Sequence, residues 1–117
     1  MKINLKNLRP GRELVVQGKN VAISMKDRGQ SAVLMTLTIE DVDLEYPNPN
    51  GTAVDIVKRL DPASYECAFS VAAISTEGKT FDSELSIGGI VIATARGTLS
   101  DEKKVDRGLT SFTLTVT

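Results

Sequence analysis

Three carboxylates fall on alternate residues in the stretch DVDLEYPNPNG: Asp41, Asp43 and Glu45, followed by an Asn- and Pro-rich turn. Oxygen ligands this close together suit a hard cation such as Ca²⁺, which takes about six to eight of them. The EF-hand loop sets a stricter test, with acids at its ends and a glycine at its sixth position. Counted from Asp41, the sixth position is Tyr46. Counted from Tyr46, the twelfth is Val57. The pattern fails in both registers. On a strand, alternate residues share one face, so these acids read as the wet face of a strand that ends in a turn, and they call for no metal.

Other chemistry is equally sparse. Cys67 is the sole cysteine and the chain has no histidine. A nucleophilic thiol needs a base or a cationic neighbour to ionise, so Cys67, inside the apolar alternation SYECAFSV, reads as a small core residue. With one cysteine there is no internal disulfide framework. Gly78-Lys79-Thr80 matches the end of a phosphate-binding loop, but the glycine that motif needs five residues earlier is Ala73,. No G-x-S-x-G elbow is present. The residues therefore point to no enzyme and no cofactor.

Charge is the stronger signal. Residues 1–30 carry seven basic and two acidic side chains, a net of +5, while residues 31–117 carry seven basic and thirteen acidic, a net of −6. The basic segment, with Lys2, Lys6, Arg9, Arg12 and Lys19, is a candidate surface for an anionic partner or for the acidic body of a second copy. The matching candidate is the acidic face of Asp41, Asp43 and Glu45. Nucleic acid is the less favoured partner, because single-strand binders stack bases on aromatics and residues 1–45 contain none.

The elements that position these groups are mostly strands. At 117 residues, with 41% hydrophobic and 25% charged residues, the composition is that of one globular domain spanning 1–117. Period-two alternation runs through ELVVQGKNVAISM, which reads as two short strands turning at Gly18-Lys19. In AVLMTLTI it places Val33, Met35, Leu37 and Ile39 on one face. In YECAFSVAAIS the inner face is Tyr65, Cys67, Phe69, Val71 and Ala73. STEGKT reads as a hairpin loop, leading to TFDSELSI with Phe81, Leu85 and Ile87 inside and Asp82, Glu84 and Ser86 outside. GGIVIATARG reads as a strand covered on both faces, with Gly88-Gly89 as a bulge. TLSDEKKVDRG reads as a charged loop, and LTSFTLTVT as a strand with Phe112, Leu114 and Val116 inside. The exception is the stretch after Gly51. Ala53, Ile56, Val57 and Leu60 have helical spacing, which predicts one short helix at about 52–60, closed by Asp61-Pro62; a strand at AVDIV is the competitor. The expected fold is mainly β: a single-domain antiparallel β-sandwich or small barrel of seven to eight strands with that one helix.

Two blocks carry a family resemblance. TIEDVDLEYPNP resembles the first strand of the β-core of the SecB export chaperones, and YECAFSVAAISTEGKTFDSELSIGGIVIA is similar to their later hairpin with its Gly-Gly-Ile run. Together they cover about a third of the chain. The chain departs from the family in the short spacing between the blocks, in a strand where the family has C-terminal helices, and in an added basic segment. The resemblance implies a holdase that binds unfolded polypeptide on exposed apolar β surface.

No stretch is apolar enough for a membrane span, and the start lacks a secretory h-region, so the expected location is cytoplasmic, or the virion if the source is viral. The expected function is a non-catalytic binding or assembly module, self-associating as a homo-oligomer, in the manner of a structural or accessory protein of a virion, tail or coat. The alternatives are the SecB-like holdase and a small regulator or inhibitor that docks its basic N-terminal third on an acidic protein or nucleic acid.

Overall fold

The computed structural model describes residues 3–5, 12–29, 32–47, 53–74, 80–98 and 105–117. These form ten strands: β1 (Ile3–Leu5), β2 (Glu13–Val16), β3 (Asn20–Asp27), β4 (Ala32–Ile39), β5 (Val42–Tyr46), β6 (Val54–Arg59), β7 (Ala63–Ile74), β8 (Thr80–Ile87), β9 (Ile90–Thr98) and β10 (Val105–Val116). They build two five-stranded sheets. One has the order β1-β9-β8-β3-β6 and will be called the first sheet; the second has the order β2-β10-β7-β4-β5. Inward side chains of both sheets merge into one core, with Ile23, Met25, Leu85 and Ile87 from the first and Met35, Leu37, Phe69 and Leu114 from the second, all at most 1% exposed. With so few aromatics, volume is filled by aliphatic side chains and by the two long methionines, whose flexible thioethers fit irregular gaps.

The alternation that marks β4, β7 and β10 in the sequence is their burial pattern in space. Val33, Met35, Leu37 and Ile39 are buried, as are Cys67, Phe69, Val71 and Ala73, and Phe112, Leu114 and Val116. Each strand is pinned by its neighbour's register, because a slip of one residue would expose the whole apolar set.

The predicted helix at 52–60 is not formed. Residues 54–59 are strand β6, paired antiparallel with β3 so that Ile56 meets Ile23 and Val54 meets Met25. Three of the four residues behind the helical spacing are exposed, Ala53, Ile56 and Val57, the last at 66%. The segment is β-branched, and a nine-residue helix gains little without tertiary cover; the open side of β3 supplies a hydrogen-bond ladder instead. Among the described residues there is no helix, and ten strands stand where seven or eight were expected.

Chain-adjacent strands pair directly in only two places, β4–β5 and β8–β9; every other connection passes from one sheet to the other. This corrects both expected hairpins. At Gly18-Lys19 the chain changes layers: the Gly18 amide donates to Thr117 of the second sheet's end (3.0 Å), while the Lys19 carbonyl accepts from Leu60, just past β6 (2.8 Å). Gly18 takes a φ of +88° to make the switch,. Likewise β7 and β8, on either side of STEGKT, lie in different sheets; residues 75–79 fall outside the described part. Gly88 and Gly89 are not a bulge but the tight turn of the β8–β9 hairpin, both with positive φ (+64° and +78°), as a two-residue hairpin loop favours. The bulge lies further on. Leu85 pairs with Ala93 and Ser86 with Val91, leaving Ile92 as the extra residue. That insertion turns Ile92 inward beside Ala93, so the apolar run of β9 is buried continuously there,. The charged loop expected through Gly108 is shorter, since β10 begins at Val105.

One pairing departs from the antiparallel rule. β2 lies parallel to β10, with Glu13 beside Thr113 and Val16 beside Val116.

Candidate functional site

The acidic stretch forms the outer margin of the second sheet. Asp41 lies in the turn between β4 and β5 and not on the strand, whereas Asp43 and Glu45 project outward from β5, the edge strand. Asp43 accepts a hydrogen bond from the Thr38 hydroxyl at 2.9 Å, across the β4–β5 pair. Sequence reading missed two further acids of this margin. Glu40 opens the turn with a φ of +54°, an unusual conformation for a side chain other than glycine. It is held there from both sides: its amide donates to the Glu66 carbonyl (2.9 Å), and its carboxylate accepts from the Glu66 amide (3.0 Å). Glu66 therefore belongs to the same acidic margin, which only the β4–β7 pairing brings together. No group of His, Cys, Asp and Glu among the described residues is arranged to hold a metal ion.

Of the basic candidates, Lys2, Lys6 and Arg9 lie outside the described residues. Arg12 is exposed at the start of β2, with φ +59°, and its carbonyl accepts from Thr113 (2.9 Å). Lys19 is exposed at the layer switch. β2 and β5 are the two opposite edges of one sheet, separated by four strand spacings, roughly 19 Å. One copy thus does not bring Arg12 against Asp43 and Glu45.

The most polar cluster closes the end of β3 against β8. Glu84, only 7% exposed, receives Arg28 at 3.1 Å and Lys26 at 3.5 Å. It projects from the outer side of β8, as expected, but the two cations cover it. Asp27 accepts from the Gly29 amide (2.8 Å), the Asp82 amide (3.0 Å) and the Ser83 hydroxyl (2.7 Å). Asp82 in turn holds Arg96 at 2.8 Å. Each carboxylate here is engaged by donors from its own or a neighbouring strand, so the arrangement fastens β3, β8 and β9 to one another. Cys67 faces the core, and its Sγ donates to the Tyr65 carbonyl at 3.6 Å. Burial, with smaller contributions from Glu40 and Glu66, pushes the thiol up from 9.0 to about 12, against the lowering effect of a backbone bond to Leu114. At neutral pH it stays protonated and inert.

What is left is the broad outer face of the second sheet. Its three central strands turn short side chains outward: Leu34, Thr36 and Thr38 on β4; Ser64, Glu66, Ala68, Ser70 and Ala72 on β7; Leu109, Ser111, Thr113 and Thr115 on β10. Glu66 is the single charged residue among these described side chains. Leu34 and Leu109 are 53% and 75% exposed. They stand on either side of the small residues of β7 and wall a hollow of about 470 Å³ floored by Ser70 and Ala72. A second hollow of about 160 Å³ shares Leu34 and Thr36 with it and continues to Glu45, Tyr46 and Pro47. The two make one shallow trough across the sheet, apolar at the β10 side and acidic at β5.

Compared with protein-family models, curated proteins and solved structures, the chain matches none of them.

Proposed function

We propose that the protein is a non-catalytic module that self-associates, a structural or accessory component of the coat or tail type, and that the outer face of the second sheet is its contact surface. The observation that carries this reading is the face itself. A sheet side turned to water normally carries charged and long polar residues; the described outward side chains of the three central strands are mostly short, with Glu66 the single charged one, and include two exposed leucines. Exposed apolar surface on such a patch marks an interaction site.

The architecture supports the same reading. We take the two sheets as an open sandwich: the shortest dimension of the molecule is 23 Å, close to two sheets about 10 Å apart with side chains on both outer sides. A sandwich, unlike a closed barrel, has flat outer faces and free edges. The acids Asp41, Asp43 and Glu45 gather at one edge of the face, whereas the other edge carries Arg12 beside Glu13.

Sedimentation velocity of the whole chain across concentration and salt tests the proposal. A mass above one chain that grows with concentration is expected. A single-chain mass at high concentration and at every salt level would sink it. The holdase reading draws on the same trough, and binding of an unfolded polypeptide by a persistent monomer would favour it instead.

A further inference from the structure

From the outer face of the second sheet we infer the geometry of the contact: a second copy packs face to face on it about a two-fold axis that runs along β7, parallel to the strands. The inference rests on the self-association reading above and adds the symmetry of the contact.

Area is the first argument. Strand spacing of ~4.8 Å and a rise of ~3.4 Å per residue give the second sheet a plane of roughly 700 Å², and side-chain relief adds to that. A standard stable interface buries about 800 Å² per partner, so one sheet face is sufficient without further surface. Packing of sheet on sheet at about 10 Å is the ordinary way a β face is covered.

Register is the second. An axis along β7 carries the β4 strand of each copy over β10 of the other. Leu34 lies in the row of Ala72 and Leu109 in the row of Ser70, two residues apart on β7, or about 7 Å. The operation therefore sets Leu34 of one copy over β10 of the other, in the row of Arg107 and about 7 Å along the strand from Leu109, twice,. Both leucines, exposed in a single copy, become buried in the pair.

Charge is the third, and it separates this axis from one perpendicular to the strands. The perpendicular axis stacks β5 on β5, carboxylate over carboxylate. The axis along β7 carries β5, with Asp43 and Glu45, over the β2 edge, where Arg12 precedes the outward-facing Glu13. It therefore keeps the two β5 carboxylate pairs apart and brings one Arg12 to each. It also brings Glu66 near its own equivalent on the axis, an unfavourable contact with a readable consequence.

Sedimentation equilibrium of the full chain tests this with four variants, each first shown by circular dichroism and thermal unfolding to keep the native fold. Leu109→Glu and Leu34→Glu are expected to raise the dimer dissociation constant roughly thirtyfold or more, as loss of a central apolar anchor does. Glu66→Gln is expected to lower it. Val57→Glu, on the exposed edge of the first sheet, is expected to leave it unchanged. Dimers that survive both leucine changes but not Val57→Glu overturn the face and leave self-association standing. A wild-type chain that is monomeric throughout removes both. A monomer that captures reduced, unfolded polypeptide and loses it on Leu109→Glu assigns the face to another occupant and overturns the pairing.

Discussion

The buried thiol of Cys67 shows how one side chain couples the fold to pH. The folded chain holds its proton up to about 12, whereas the ordinary value is 9.0. A group whose pKa is raised on folding contributes stability that is complete below the unfolded value and is lost as pH climbs toward the folded one. Urea unfolding is therefore expected to give a midpoint that falls between pH 9 and pH 11 more steeply in the native chain than in Cys67→Ala, which removes this titration. In the same experiments a thiol reagent at pH 8 should label the folded protein only at its rate of unfolding, because Cys67 is 3% exposed. Parallel midpoints for the two chains would contradict the account. Glu40 makes a different point at this scale. Its positive φ costs something like a kcal/mol, and the two bonds to Glu66 hold it in place. The strain serves the β4–β5 turn, and through it the acidic margin.

At the scale of elements, the molecule depends on close approach between neighbouring strands of one sheet. Gly29 sits where the chain leaves β3, and a Cβ there would lie 2.5 Å from the Phe81 Cα and from the Thr80 carbonyl oxygen. These are backbone atoms that cannot swing aside, so Gly29→Ala is expected to destabilise the fold by about 2 kcal/mol, read as a lower denaturation midpoint with unchanged slope. Strand identity was largely legible from alternation: β4, β7 and β10 keep the faces their residues predict. Sheet membership was not. The residues around Gly18-Lys19 and around STEGKT suit a hairpin and a layer crossing equally, because a turn signal says that the chain reverses and not which strand it rejoins. The helical spacing of Ala53, Ile56, Val57 and Leu60 misled for a similar reason, since the hydrogen bonds that decide for β6 come from β3, some thirty residues away in sequence,. The candidate site suffered most. Leu34 and Leu109 are unremarkable in their own segments and become a pair only because β7 lies between β4 and β10. The acids of DVDLEYPNPNG were visible at once, yet Glu66 joined them through a ladder that no local pattern announces.

At the scale of the whole molecule, the second sheet is completed by residues from both ends of the chain. β10 is the neighbour of both β7 and β2, so its removal strips one side of each. A fragment ending at residue 104 is expected to lack a cooperative thermal transition and to bind a hydrophobic dye, measured by circular dichroism and fluorescence; a fragment that melts as sharply as the full chain would show that β10 is dispensable. Pairings this distant in sequence also make folding slow, since loop closure must precede the contacts that reward it. The parallel run of β2 beside β10 has a mechanical meaning as well. Tension applied between the two ends draws β2 toward its own N-terminal side and β10 toward its C-terminal side, along the strands and in opposite directions. Once the three residues of β1 have peeled from β9, the bonds joining Arg12 through Gly18 to Thr113 through Thr117 carry that load together, in shear, and none can open ahead of the rest. A chain clasped in this way resists stretching better than one that can unzip bond by bond.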